Sequence, residues 1–167
     1  MTSEIDTGGF PVVLGEGEEE FVAVAERRAE IVWEGDLLQG GGKFTVGSGA
    51  MGEMPITWAA RTERSEGKTS PEELIAAAHG ACFAMALSNV LAEGGTPPER
   101  LQISAVCTFD VDNVRVASVD LDIRGRVPGM EAEDFRNAVE QANEGCPVSN
   151  ALLGNVEIRR NASLEEG

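Results

Sequence analysis

Four side chains stand out as able to do chemistry: the thiols of Cys82, Cys107 and Cys146, and the imidazole of His79, the one histidine in the chain. His79 and Cys82 lie in a small-residue run, AAAHGACFAMAL, residues 76–87, at a spacing that puts both on one side of a helix. Three readings of Cys82 stay open at this level: an inert core thiol, a metal ligand beside the histidine, or a nucleophile. The thiolate is the reactive form, and inside a helix no terminus activates it, so the nucleophile reading needs a nearby cation. Arg61 and Arg64 are the candidates, because a guanidinium stays charged and does not compete for the thiol proton. Glu72 can hold such an arginine in a bidentate pair.

The other thiols differ by location. Cys146 directly precedes Pro147 at the start of a short helical segment, CPVSNALLG, where unpaired backbone N–H groups favour a thiolate. A cap chosen for packing is the competing reading, and both stay open. Cys107 falls on the inward stripe of a strand and reads as core filler. A zinc site built from His79, Cys82, Cys107 and Cys146 lacks any paired Cys-x-x-Cys or His-x-x-x-His spacing, so no metal is expected. No glycine-rich phosphate loop or serine-hydrolase elbow is present, and no cofactor is expected. His79 itself reads as a packed, hydrogen-bonded core residue.

The elements that must hold these groups are marked in the sequence. TSPEELIAAA places Ser70 at a helix N-cap, Pro71 in the first helical position and Glu73 three residues past the cap, a capping box. The helix should run to about Ala92, where EGGTPP stops it. Its middle is apolar nearly all round, more than one domain of this size buries alone, so a second chain is expected to help cover it. Ahead of it, RAEIVWE (with Ala29, Ile31 and Trp33 on one face), KFTV and MPITWAARTE read as three short antiparallel strands. Behind it, residues 101–111 and 117–127 alternate as two strands around the turn DVDN. In the second, Ala117, Val119, Leu121 and Ile123 face inward, against Ser118, Asp120 and Asp122. An acidic-starting amphipathic helix, PGMEAEDFRNAVEQANEG, the short helix after Cys146 and a strand, NVEIRRNASL, complete an α+β order, βββ–α–ββ–αα–β.

Composition narrows the partners. The 167 residues suffice for one domain with an extension and a real core. A net charge of −16 repels phosphate backbones and anionic lipid, so neither nucleic acid nor a membrane surface is an expected partner. No apolar run is expected to span a membrane. The start, MTSEIDTGGFPVV, lacks the basic residues and apolar stretch of a secretory signal, and an odd three cysteines make no secreted disulfide framework, so a cytoplasmic protein is expected. Residues 1–20 are too polar and glycine-rich to bury much and read as a flexible lead.

Taken together, GKTSPEELIAAAHGACFAMAL, then PG before an acidic amphipathic helix, then GCPVSNAL, resemble the OsmC/Ohr family of thiol peroxidases over residues 29–164, with the histidine resembling the OsmC branch. The resemblance implies an OsmC-like fold in an intertwined homodimer, its long central helices buried between subunits and two active sites at the interface. It implies two-cysteine reduction of hydroperoxides, organic ones favoured over hydrogen peroxide, in stress defence, with turnover by a dithiol such as a lipoyl-type reductant. Cys82 then matches the peroxidatic cysteine, Cys146 the resolving cysteine and Glu72 the carboxylate that orients a catalytic arginine. Arg61 is the choice for that arginine. The segment between it and Glu72 is one residue longer than the family pattern, which keeps Arg64 as the fallback. Residues 1–28 extend beyond the family's start and receive no role from it. Two rival expectations are a thiol–disulfide redox sensor and a non-catalytic stress-related dimer, neither of which needs the Arg61–Glu72 pair.

Overall fold

The computed structural model describes residues 25–165. The expected flexible lead lies outside them. Sheet one is an antiparallel meander of β1 (Ala29–Glu34), β2 (Gly41–Val46) and β3 (Met54–Ile56). Ile31 faces Phe44 and Trp33 faces Gly42 across β1 and β2, the register that the alternation of β1 requires. All six residues of β1 are exposed, however, and no meander strand packs extensively on the helices or the second sheet.

The third strand is shorter than the sequence reading made it. It stops at Ile56, and Thr57 caps a five-residue helix, α1 (Trp58–Thr62), by accepting a hydrogen bond from the Ala60 backbone N–H at 3.1 Å. An N-cap threonine followed by good helix formers outweighs strand continuation there. The observed order is therefore βββ–αα–ββ–αα–β, one helix more than expected, and Arg61 sits in the last turn of α1 rather than on a strand.

α2 (Pro71–Glu93) begins as the sequence requires, with the Ser70 hydroxyl accepting from the Glu73 N–H at 3.2 Å. The Glu73 carboxylate is engaged by Thr69, whose hydroxyl donates to it at 2.7 Å. At 23 residues, α2 is by length and composition long and apolar enough to cross a membrane, which corrects the expectation that no run approaches a span. One face of α2 packs on β4 (Arg100–Asp110), α3 (Ala132–Gly145) and α4 (Pro147–Leu152), where Phe83, Leu87 and Leu91 are buried. The other presents Ala77, Ala81, Met85, Ser88 and Ala92, an exposed stripe at helical spacing.

Sheet two has the order β4–β5–β6, with β5 (Arg115–Arg126) antiparallel to β4 and parallel to β6 (Glu157–Leu164). The parallel pairing needs a crossover, which α3 and α4 supply. Thr108 pairs with Ser118 but Phe109 with Val116, so Ala117 is the extra residue of a β-bulge. Ala117 is only half-buried, and Ser118, expected on the polar stripe, is buried, with its hydroxyl donating to Asp120 at 3.2 Å. Beyond the bulge Val119, Leu121 and Ile123 enter the core beneath the Phe135, Ala138, Val139 and Ala142 stripe of α3. Gly125 is required where that helix meets the sheet, because a Cβ there would stand 2.5 Å from the Phe135 ring.

Candidate active site

α2 carries two stations. At the first, Cys82 stands at the helix middle and His79 three residues before it, both on the side that faces α4. Cys146 ends α3 and caps α4 in extended backbone, with its sulfur accepting from the Ser149 N–H at 3.5 Å. Its thiol donates to Cys82 Sγ at 3.3 Å, so two cysteines 64 residues apart in sequence share one contact. Cys146 is fully buried and Cys82 half-buried. Burial pushes the Cys82 thiol above its ordinary range, a backbone hydrogen bond from Val148 opposes that shift, and Cys146 adds to it. His79 is fully buried and turns away from both sulfurs, its Nε2 lying 2.8 Å from the Ser149 hydroxyl.

The second station is at the start of α2. Arg61 donates from Nε and Nη2 to one oxygen of Glu72, at 2.9 and 2.7 Å, a side-on contact to Oε1 rather than the two-oxygen fork that the sequence suggested. Its guanidinium carbon stacks 3.9 Å from the Phe109 ring centre and 5.6 Å from that of Trp58. Glu72 is buried, and its second oxygen, Oε2, has no hydrogen-bond partner among the described residues. An unpaired buried carboxylate oxygen is costly, so this end of α2 is chemically incomplete among the described residues. Arg64 is exposed and lines a separate cavity with Glu63, Glu66 and Lys68.

The two stations do not meet inside one chain. Glu72 and Cys82 are ten residues apart on a continuous helix, which at 1.5 Å per residue separates them by about 15 Å along its axis. Cys107 lies nearer the second station. It is half-buried against the core, and burial, then the Glu72 charge, push its thiol upward. No three His, Cys, Asp or Glu side chains among the described residues are grouped to hold a metal ion. The residue that sequence reasoning missed is Ser149, three positions after Cys146. The matching spacing of 79 to 82 and 146 to 149 is the signal that could have found it.

This arrangement of elements is shared with known proteins. The OsmC family model, described as OsmC-like protein, matches residues 64–160. The chain belongs to the OsmC family. Peroxiredoxin OsmC of Escherichia coli (strain K12) is 35% identical over 134 residues, covering 79% of this chain and 93% of that protein. The organic hydroperoxide resistance protein of Xanthomonas axonopodis pv. citri (strain 306) is 30% identical over 96 residues, covering 54% of this chain and 63% of that protein. Among solved structures, the organic hydroperoxide resistance protein OhrB of Bacillus subtilis aligns with a TM-score of 0.61 at 25% identity, covering 81% of this chain and 98% of that one. The Legionella pneumophila organic hydroperoxide resistance protein OsmC shares the fold, with a TM-score of 0.67 at 22% identity over 84% of this chain and 98% of its own.

Proposed function

We propose that this OsmC-family protein is a thiol-dependent peroxidase of stress defence, reducing organic hydroperoxides, and hydrogen peroxide less well, to alcohols in the cytoplasm. The carrying observation is the 3.3 Å contact between Cys82 and Cys146. The names of the relatives, peroxiredoxin and organic hydroperoxide resistance protein, point the same way. The Cys82 thiolate attacks the distal peroxide oxygen. The O–O bond breaks, the other oxygen leaves as the alcohol after taking a proton, and Cys82 becomes a sulfenic acid. The Cys146 sulfur then attacks the sulfenic sulfur, forming the Cys82–Cys146 disulfide and releasing water. A dithiol, in our reading of the lipoyl class, reduces that disulfide by exchange and is itself oxidised to a disulfide.

The thiolate needs a cation, and among the described residues none acts on Cys82. The roughly 15 Å between stations, the unpaired Glu72 Oε2, the bare alanine stripe of α2 and the loosely packed meander all support a homodimer in which antiparallel α2 helices cross. In that dimer Arg61 and Glu72 of one protomer complete the thiol site of the other. The arginine then lowers the Cys82 pKa against the upward push of burial.

The test is peroxide consumption with a dithiol reductant. Wild type should turn over, and Cys82→Ser should be inactive. Cys146→Ser should react once and then over-oxidise to the sulfinic acid, seen as a gain of two oxygen atoms by mass spectrometry. Full turnover by Cys82→Ser would sink the assignment. Disulfide formation without peroxide turnover would instead favour the redox-sensor reading.

A further inference from the structure

Two helices face each other through two matched pairs of side chains. On α2, His79 and Cys82 are three residues apart; on α4, Ser149 and its N-cap Cys146 are three residues apart in the opposite sense. His79 Nε2 meets Ser149 Oγ at 2.8 Å, and Cys82 Sγ meets Cys146 Sγ at 3.3 Å. The result is a ladder of two rungs, one a buried polar bond and the other the reactive pair. We propose that His79 is a positioning residue for the resolving half of the site, fixing the setting of α4 against α2 through Ser149 so that Cys146 stays within reach of Cys82. This rests on the disulfide chemistry proposed above and extends it to a residue that touches neither sulfur.

The physical case comes from what fixes the rotation of α4, since Val148 and Leu152 pack on the core through undirected apolar contact and Asn150 ties the helix only to the Glu144 carbonyl at the end of α3. α4 is six residues long, and Leu153 directly after it is 72% exposed. His79 and Ser149 are 0% and 2% exposed, so their bond is shielded from water, which would otherwise compete for it. The His79 Nδ1 has no partner among the described residues, so the Ser149 contact is the ring's polar anchor, with the Phe83 ring edge-on 6.2 Å away. The same helical turn also directs the Val148 N–H to Cys82 and the Ser149 N–H to Cys146, so rotating α4 would displace both hydrogen bonds together. Disulfide formation requires the sulfurs to close from 3.3 Å to about 2.05 Å. A preset α4 makes that a small movement, which raises the effective concentration of Cys146 at the sulfenic sulfur.

The experiment equilibrates the full-length protein with graded mixtures of reduced and oxidised dithiothreitol. The Cys82–Cys146 disulfide is then counted by acid quenching, thiol alkylation and mass spectrometry. His79→Leu and Ser149→Ala should each lower the equilibrium constant for disulfide formation roughly tenfold, which raises the midpoint potential by about 30 mV. The double variant should be no worse than either single, because both remove the same rung. His79→Gln, whose amide can reach Ser149, should recover most of the loss. Val139→Ala, a core truncation in α3, is the control: it should lower thermal stability and leave the constant unchanged. A wild-type constant in either single variant overturns the proposal, as does an equal fall in Val139→Ala. A wild-type protein that never forms the disulfide overturns the peroxidase mechanism as well, and so separates the two failures.

Discussion

The two stations on α2 are built by the same helix and yet differ in completeness. Around Cys82 the chain supplies a second sulfur, Cys146, a backbone N–H donor to each sulfur, and a buried histidine bonded to Ser149 on the facing helix. Around Glu72 it supplies an arginine on one oxygen, and the other oxygen is buried with no partner among the described residues. The first station can therefore form its product bond within one protomer. The second holds an arginine–carboxylate pair about one and a half nanometres of helix from the sulfurs. In the function proposed above, the closing of the disulfide is then internal to one chain, whereas thiolate activation waits for the dimer.

The largest effect is expected where Arg61 acts across the interface. Cys82→Ser and Arg61→Ala should each be inactive in peroxide turnover. Refolded together, they should regain about a quarter of wild-type activity, since half the dimers are mixed and each mixed dimer has one intact site. Absence of recovery would put the arginine in the same protomer as its cysteine.

A charge on the exposed stripe separates the stations physically. Ala81→Arg should yield a monomer by sedimentation, with peroxide turnover lost and the Cys82–Cys146 disulfide still able to form. In that monomer the Cys82 pKa should lie above the ordinary thiol value, as burial dictates, so alkylation at neutral pH should be slower than in wild type and accelerate only at higher pH.

Smaller effects probe the scaffold beneath the first station. Gly125→Ala drives a Cβ into the Phe135 ring, which should cost about 1–3 kcal/mol of stability by denaturant unfolding. The smallest effect concerns His79, whose pKa burial lowers, with Arg160 adding to the shift. A base with a depressed folded pKa stabilises the fold above its unfolded value near 6.5 and loses that contribution as pH falls. Wild type should therefore lose thermal stability on acidification below about pH 6.5, by more than His79→Gln does. An identical slope in the two proteins would remove the histidine from the account.

Much of the fold was readable in local pattern. The Ser70 cap, the Pro71 start, the alternation of β4 and β5 and the cap position of Cys146 are each decided by residues within a few positions of one another. The failures were also local in origin but depended on competition. Thr57 ended β3 early, and Ala117 shifted the register of β5 by one residue.

The sequence by itself determined which helix would carry His79 and Cys82 and where Cys146 would cap the next, because caps and periodicity act over one or two turns. Tertiary structure alone decided what those residues face. Cys82 meets Cys146 across 64 positions and His79 meets Ser149 across 70. Arg61 finds Glu72, some 15 Å of helix away from the thiol. Those pairings follow from how α4 and α1 are packed onto α2, and packing sums many weak contacts that no short window of sequence contains.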